Sequence, residues 1–423
     1  MPVRFQSRFL TRVFRGLASR NYRLFFLGHS LSLVGGWVQR TALVWLVYRL
    51  TGSAQMLGLV VFLGLFPSVL IAPFAGVLSD RFDRRTILVR VQIILAVHAG
   101  LLFWLSITDR IAMWNILPLA LFFGIAIAFE MPTRQAFVRD LADKSEDMGN
   151  LIALNSTIFN LSRLVGPPIA GFLITLAGEW LCFLLNMVTF VVVIAALLAM
   201  RLTPKPVALV GETLLTGVSK GLRYAWTHPT IRTSLLLLTS YSLLGMVYFV
   251  LLPIIAVEVL GGGAATLGWL TGAPAIGALL GGFFLASRTS TKDLTTIIPR
   301  ATLVFGCAIL GLAFARSLPF ALIALSVAGF GMIIQNTGTN TLIQHHVDDR
   351  MRGRVMSLFT ASLLGTSPIG SLLGGFASDR VGVTATLATS GFACMALGLA
   401  YRFQIARMDG VLSDDEPNKD PDR

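Results

Sequence analysis

Between two apolar runs, residues 56–78 and 87–107, the sequence reads Gly76-Val77-Leu78-Ser79-Asp80-Arg81-Phe82-Asp83-Arg84-Arg85. Five charges occupy the six positions from Asp80 to Arg85, and each flanking run is long enough to cross a bilayer. Charges at this density lie at a water boundary, because placing them in hydrocarbon is expensive. The stretch therefore predicts a short loop between two membrane-spanning helices.

Composition places the whole chain in the same class. Of its 423 residues, 55% are hydrophobic and 13% are charged, with a mean hydropathy of +0.76, whereas soluble domains carry roughly 25% charged residues. Twelve apolar runs can be placed, at 24–48, 56–78, 87–107, 111–131, 151–176, 180–201, 233–257, 264–286, 297–315, 318–343, 355–377 and 383–405. Their length favours helices over the alternating strands of an outer-membrane barrel. We expect an all-α integral membrane protein with twelve transmembrane helices.

The distribution of basic residues predicts the orientation. If the 78–87 loop is cytoplasmic and the spans alternate, only four of the 34 Lys and Arg residues fall in loops on the opposite side: Arg49, Arg110, Arg316 and Arg380. This asymmetry is the positive-inside pattern, and it puts both termini in the cytoplasm. Because it accounts for the net charge of +13, no nucleic-acid partner is expected.

The chain divides into two similar halves. One pattern occurs in both: a Gln is followed by a charged cluster and then by a span that contains Pro and Gly. The pattern begins at Gln135 in the first half and at Gln344 in the second. Duplicated six-helix halves place a binding site between them, near the bilayer midplane. The expected parts are a basic amphipathic segment at 1–23, a six-helix half at 24–201, a cytoplasmic linker at 202–232, a second half at 233–405 and a polar tail at 406–423. The first segment suits either a simple anchor or a lipid-sensing helix on the inner leaflet.

The loop that joins the second and third spans resembles the signature G-x-L-x-D-R-x-G-R-R of the major facilitator superfamily. The matching residues are Gly76, Leu78, Asp80, Arg81, Arg84 and Arg85, and Asp83 stands where that pattern has glycine. The stretches 36–39, 50–53, 132–136 and 352–356 are similar to the enterobactin-exporter-like branch of bacterial efflux permeases. The resemblance covers most of the chain and implies a monomeric secondary exporter of siderophores or hydrophobic drugs in the bacterial inner membrane.

The same loop is a candidate gate. Asp80 can pair with arginines and with the N-terminus of a facing helix, which would tether the cytoplasmic ends of the two halves; the alternative is that the charges only fix the topology. Gly166-Pro167 with Gly171 resembles the antiporter motif of the superfamily. The expected gating or coupling residues are Gly76, Asp80, Arg81, Arg84, Arg85, Glu130, Arg134, Gly166, Pro167 and Gly171.

The acidic residues limit how a proton could be carried. No Asp or Glu lies at a predicted midplane, where proton-coupled transporters commonly keep a carrier. Proton coupling would therefore use Glu130, Asp80 or a histidine. His29 and His98 lie within spans and can titrate near neutrality, although a packed neutral side chain is the expectation for each alone.

Two cations inside spans predict the chemistry of the cargo. Arg40 and Arg163 have no carboxylate at their depth, and an Arg at the bilayer centre costs about 2.5–3.5 kcal/mol on insertion scales, so each should face a cavity or a partner. Snorkelling to the surface is the alternative for Arg40. We expect an electropositive cavity that takes an amphipathic cargo with an anionic or hydrogen-bond-accepting group. The candidate substrate-binding residues are Arg40, Arg163, Gln39, Trp37, Asn155, Asn160, Gln335, Asn336 and Asn340.

Other chemistries find little support. No phosphate-binding loop of the Walker type and no catalytic constellation are present, so neither direct ATP use nor an enzyme is expected. The adjacent His345 and His346 would diverge by about 100° on a helix, which favours polar surface residues over a metal site. No cofactor is expected, and the expected partners are a small amphipathic substrate, a coupling proton and membrane lipids. A lysophospholipid transporter of the same fold and a transport-inactive sensor remain alternatives.

Overall fold

The computed structural model describes residues 19–141, 148–201, 214–288 and 293–414, which form helices and no strand. The helices of the first part are α1 (Arg20–Thr51), α2 (Ala54–Arg81), α3 (Arg84–Ile107), α4 (Met113–Asp140), α5 (Met148–Ala177) and α6 (Glu179–Ala199). The remaining helices are α7 (Leu214–Thr227), α8 (Pro229–Gly245), α9 (Tyr248–Ile254), α10 (Ala264–Ala286), α11 (Leu294–Ala313), α12 (Leu318–His346), α13 (Arg352–Thr360), α14 (Thr366–Val381) and α15 (Val383–Asp414).

The helix lengths agree with a protein that crosses a membrane many times. Within the described residues, eleven segments are long and apolar enough to span, and Pro229–Val259 and Arg352–Val381 each count as one of them. Helix α1 is not among the eleven, but it is 32 residues long and packs along α6. We therefore count α1 as the first of twelve membrane helices, and the predicted all-α membrane fold is confirmed.

Two of the spans are interrupted by wider, π-helical turns. Ile255–Val259 continues α9, and Ala361–Gly365 joins α13 to α14. At the second turn the Ser242 hydroxyl donates to the carbonyl of Leu363 at 2.7 Å, which binds α8 to the widened turn. Such turns leave backbone carbonyls available to side chains and often mark functional positions. The apolar runs at 233–257 and 355–377 gave no sign of either interruption.

The described residues fall into two compact units. The first takes residues within Met1–Gly211 together with Val250–Ala275, and the second takes residues within Glu212–Phe249 and Ile276–Arg423. The division differs from the predicted boundary between halves in one respect: the last part of the Pro229–Val259 span, from Val250, and the beginning of α10 pack with the first unit.

Small residues allow the helices of the first unit to touch through their backbones. A Cβ atom on Gly124 of α4 would lie 2.7 Å from the carbonyl oxygen of Leu63 on α2. One on Gly35 of α1 would lie 2.5 Å from the Asn186 side chain on α6. Membrane helices associate through such close packing, because lipid offers no hydrophobic drive to bring them together.

The second unit is packed in the same way. A Cβ atom on Gly331 of α12 would lie 2.7 Å from the carbonyl oxygen of Ala301 on α11. Gly391 of α15 similarly lies beside Gly306 of α11. Helix α11 is thus held between α12 and α15 by backbone contacts.

Several sequence predictions concern parts of the chain at or beyond the described ranges. The amphipathic segment at 1–23 is described only from residue 19, and the linker at 202–232 only from residue 214. The polar tail predicted at 406–423 begins within α15, which continues as helix to Asp414, and 415–423 lie outside the described residues.

Candidate functional site

Two arginines in the first unit share one tryptophan. The guanidinium carbon of Arg40 lies 5.0 Å from the centroid of the Trp37 ring, and that of Arg163 lies 6.0 Å from the same ring. The Phe159 ring meets Trp37 edge-on at 6.5 Å. The structure therefore brings together Trp37, Arg40 and Arg163, the three residues of the predicted binding set with the most distinctive chemistry. We call these three residues the cation–indole cluster.

A glycine makes the cation–indole cluster possible. A Cβ atom on Gly166 of α5 would lie 2.6 Å from the Cβ atom of Trp37 on α1. Only a residue without a side chain lets the two helices approach this closely. Gly166 was predicted as part of a gating motif, and in the structure it also sets the position of Trp37 against α5.

The polar neighbours predicted to join this cluster have other contacts. Gln39 is buried against α6, where the Asn186 side-chain amide donates to its oxygen at 2.8 Å. Asn160 donates to the carbonyl of Ser156 on its own helix at 2.9 Å. Asn155 is half-buried on the same helix. In the structure Gln39 therefore joins α1 to α6, and the amide of Asn160 bonds the backbone of its own helix.

A second polar group lies on α12 in the second unit. Gln335 is 0% exposed, and no described residue is within hydrogen-bonding reach of either atom of its amide. The Asn336 side-chain oxygen and the Thr339 hydroxyl are also buried without a hydrogen bond to a described residue. Asn340, by contrast, accepts a hydrogen bond from Gln344 one turn away. Buried amides are costly unless something hydrogen-bonds to them, so Gln335 and Asn336 suit contact with a polar ligand.

A buried ionisable triad joins α1 to α4. The Arg134 guanidinium donates to Glu130 at 2.8 Å and lies 3.1 Å from the Nε2 atom of His29. His29 is 7% exposed and Glu130 is 8% exposed, and the Phe25 ring stacks on the histidine at 5.2 Å. The sequence favoured a packed, neutral His29, and it gave no sign of this contact, because the two residues are far apart in the chain. His98, in contrast, packs against Phe123 at 5.2 Å as expected.

The signature loop is tied to its own half of the sequence. The Arg84 guanidinium donates to Asp140 of α4 at 2.6 Å, and Arg85 donates to the carbonyl of Leu198 near the end of α6 at 2.7 Å. Arg81 is exposed, and a Cβ atom on Gly76 would meet nothing within 4 Å. The Asp80 side chain lies outside the described part of the structure. The loop arginines thus hold the ends of α3, α4 and α6 together.

The departure from the signature pattern has a structural reason. Asp83 precedes α3, and its carboxylate accepts from the backbone N–H of Thr86 at 2.8 Å and from the Thr86 hydroxyl at 2.6 Å. Its φ is −60°, which is not the left-handed region that glycine favours. Asp83 therefore acts as an N-cap, which satisfies a free N–H of the first turn.

Pro167 and Gly171 lie where α5 meets α10. A Cβ atom on Gly171 would lie 2.7 Å from the carbonyl oxygen of Ala264, and one on Gly268 would lie 2.6 Å from that of Pro167. Nearby, the Tyr48 hydroxyl donates to Glu258 at 3.1 Å. These contacts join the first unit to a segment that comes from the second half of the sequence.

The histidine pair on α12 gives no metal site among the described residues, where no group of three or more potential ligands occurs. His346 bonds the carbonyl of Leu342 one turn earlier at 2.9 Å. This contact agrees with the interpretation of the pair as polar surface residues.

Comparison with known proteins adds an independent observation. Residues 11–421 match the family described as transmembrane secretion effector. The chain is 26% identical over 387 residues to the staphyloferrin A transporter of Staphylococcus aureus, covering 90% of this chain and 95% of the relative. It is 25% identical over 379 residues to the multidrug efflux pump Tap of Mycolicibacterium fortuitum, covering 87% and 92%.

Solved structures show the same fold. The crystal structure of a POT family transporter superposes with a TM-score of 0.73 at 12% sequence identity, covering 93% of this chain and 96% of that chain. At this identity the likeness concerns the fold alone. The relatives and the structural neighbour are membrane transporters, and none of them is an enzyme by its description.

Proposed function

Because the chain belongs to the transmembrane secretion effector family of the major facilitator superfamily, we propose that it exports small amphipathic molecules by alternating access, driven by proton antiport. The cargo is siderophore-like or drug-like and carries an anionic or hydrogen-bond-accepting group. The setting is the bacterial inner membrane, with both termini in the cytoplasm. The relatives described as a staphyloferrin A transporter and a multidrug efflux pump support this class of cargo.

The cation–indole cluster is the observation that carries the proposal. Two guanidinium groups lie at 5.0 and 6.0 Å from one indole ring, so positive charge and a flat apolar surface are presented together. A carboxylate or catecholate oxygen can take charge-assisted hydrogen bonds from the arginines, while an apolar ring packs on Trp37 and Phe159. An amphipathic anion satisfies both requirements.

The test is transport in proteoliposomes across a panel of anionic, neutral and cationic amphipathic cargoes, with and without an imposed pH gradient. We expect Arg40→Ala and Arg163→Ala each to abolish transport of the anionic cargo at normal membrane abundance. The matched control is Arg110→Ala, since Arg110 also lies 6.0 Å from a tryptophan ring, that of Trp104, but near a loop.

Three results would contradict the proposal. Full activity in both the Arg40 and the Arg163 variants would show that these arginines are not needed to bind the cargo. Flux that never responds to a pH gradient would remove the antiporter assignment. Absence of counterflow with every cargo would favour a transport-inactive sensor.

One surface feature favours a second candidate, a lysophospholipid transporter. A groove of about 350 Å³ lies between α2 and α4, and its lining is entirely apolar. Phe62 and Phe66 stack in its wall at 4.6 Å, beside Pro67 and Leu70, and Leu121 and Ile125 complete it. An acyl chain fits such a groove, and a lipid-flipping assay on the purified protein decides between the two cargoes.

A further inference from the structure

Helix α7 has one face fixed to the second unit. A Cβ atom on Gly221 would lie 3.0 Å from the Cβ atom of Arg354 on α13. Ala225 is buried in a cluster that includes Val355. The Tyr224 hydroxyl accepts from the backbone N–H of Asp348 at 3.1 Å, in the turn before α13. The helix is therefore held in a fixed rotation against the beginning of α13.

The opposite face of α7 is apolar and basic together. Leu222 is 52% exposed and Trp226, one turn later, is 58% exposed. Arg223 is exposed between them. The Arg232 guanidinium carbon lies 6.0 Å from the Trp226 ring, so a second cation is placed beside the indole. We call Leu222, Arg223, Trp226 and Arg232 the linker face.

The linker face lies where a bilayer begins. Helix α8, the first part of the Pro229–Val259 span, starts three positions after Trp226. Tryptophan is enriched at this boundary because its ring is apolar and its N–H is polar. The sequence from 213 to 257 contains no Asp or Glu, so neither α7 nor α8 carries a carboxylate that competes for the cations of the linker face.

From this geometry we propose that the linker face is a docking site for anionic phospholipid headgroups, with Leu222 and Trp226 inserted among the upper acyl carbons and Arg223 and Arg232 on the phosphates. An amphipathic helix with aromatic and aliphatic residues beside cations is the arrangement that binds anionic membrane surfaces. A protein partner could cover the apolar pair, but the linker face would then have to leave the membrane boundary at which α8 fixes it.

Because α7 is seated on α13, lipid binding also acts on that helix. The beginning of α13 leads to the widened turn at Ala361–Gly365, which Ser242 of α8 contacts. We expect the transport rate to depend on the fraction of anionic lipid, through the contact of α7 with α13.

The test measures the depth of the linker face in a bilayer. A spin label is attached at Ser219→Cys, on the exposed face two turns before Trp226, in the full-length protein without Cys182, Cys307 and Cys394. The protein is placed in phosphatidylcholine bilayers with and without phosphatidylglycerol, and label access to oxygen is compared with access to a water-soluble nickel chelate. We expect phosphatidylglycerol to raise the oxygen-to-nickel ratio, and the double change Arg223→Gln with Arg232→Gln to remove that rise.

The control is Arg402→Gln, which removes one exposed cation of α15 that does not belong to the linker face. Arg402 follows Tyr401, whose hydroxyl lies 3.1 Å from that of Ser234 on α8. In the Arg402→Gln variant, phosphatidylglycerol should raise the oxygen-to-nickel ratio as much as it does in the unchanged protein. The proposal would be overturned if the label stays equally accessible to the nickel chelate in both bilayers. It would also be overturned if phosphatidylglycerol raises the oxygen-to-nickel ratio of the double variant as much as that of the unchanged protein. Protection that grows with the protein-to-lipid ratio would indicate a second copy and would overturn it too.

Discussion

The Arg134 guanidinium has two side-chain partners, a carboxylate and a histidine ring. Glu130 is one turn away on the same helix, and a carboxylate at this spacing is the partner that sequence alone predicts. His29 approaches from α1, and its Nε2 atom accepts from the guanidinium when the ring is neutral. A proton on the Nε2 atom of His29 is incompatible with this second hydrogen bond, so the triad suits the proton coupling that we propose.

The triad gives a direct test of coupling. Glu130→Gln keeps the shape of the side chain but cannot exchange a proton, so we expect transport to lose its response to a pH gradient while counterflow exchange remains. The measurement is proteoliposome flux with and without the gradient. Glu179→Gln is the control, since Glu179 is also buried and pairs with Arg49 at 2.7 Å. A wild-type gradient response in Glu130→Gln would contradict the proton-carrying role.

Asp83 gives a test of local stability. Its carboxylate caps α3, and losing such a cap costs about 1 kcal/mol. Asp83→Ala should therefore lower the thermal midpoint of the detergent-solubilised protein, and Asp83→Asn, which keeps an accepting oxygen, should change it less. Equal midpoints for the Ala and Asn variants would show that the cap does not contribute.

At the scale of the elements, the contact of α5 with α10 depends on residues without side chains. The pair Gly171 and Ala264 and the pair Pro167 and Gly268 put the two backbones in contact. Proline at 167 also removes an N–H from α5. Alternating access requires contacts that can form and separate, and a flat backbone surface is better suited to this than interlocked side chains.

This contact predicts a sharp difference between two glycines of one helix. Gly268→Ala would put a Cβ atom 2.6 Å from the carbonyl oxygen of Pro167, whereas Gly282→Ala would meet nothing within 4 Å. Overpacking of this kind costs about 1–3 kcal/mol. We expect transport to fall severalfold in Gly268→Ala at normal abundance and to be unchanged in Gly282→Ala. Equal transport rates in the two variants would show that transport does not depend on the backbone contact between α5 and α10.

At the scale of the whole molecule, the distribution of basic residues predicts the orientation. The loop between α3 and α4 carries Arg110 alone among Lys and Arg, whereas Arg81, Arg84 and Arg85 flank the loop between α2 and α3. The positive-inside rule places the first loop outside and the second inside.

Cysteine labelling in intact cells tests this orientation. In a cysteine-free background, a membrane-impermeant maleimide should label Thr108→Cys, which is exposed beside the α3–α4 loop, without permeabilisation. Ser357→Cys, exposed near the beginning of α13, should be labelled only after the cells are opened. The reverse pattern would invert the topology and, with it, the direction of export.

The membrane class, the twelve spans, the family resemblance and the residues with unusual chemistry could all be predicted, because each depends on local hydropathy, local charge or a continuous motif. Sequence alone was enough to select Arg40 and Arg163 as candidate binding residues, since an arginine inside a span is unusual, and Trp37 was selected as an aromatic residue on the helix that carries Arg40. The contact of Gln39 could not be predicted from the sequence, because the rotation of α1 decides whether this side chain meets Asn186 or a cavity.

Contacts between residues far apart in the chain could not be predicted and are seen only in the folded protein. His29 joins Arg134, Pro167 meets Gly268, and the segment Val250–Ala275 packs with the first unit. The physical reason is that helices in lipid associate through close packing and interhelical hydrogen bonds. Both depend on the rotation and register of two helices at once, and no pattern within one helix specifies them.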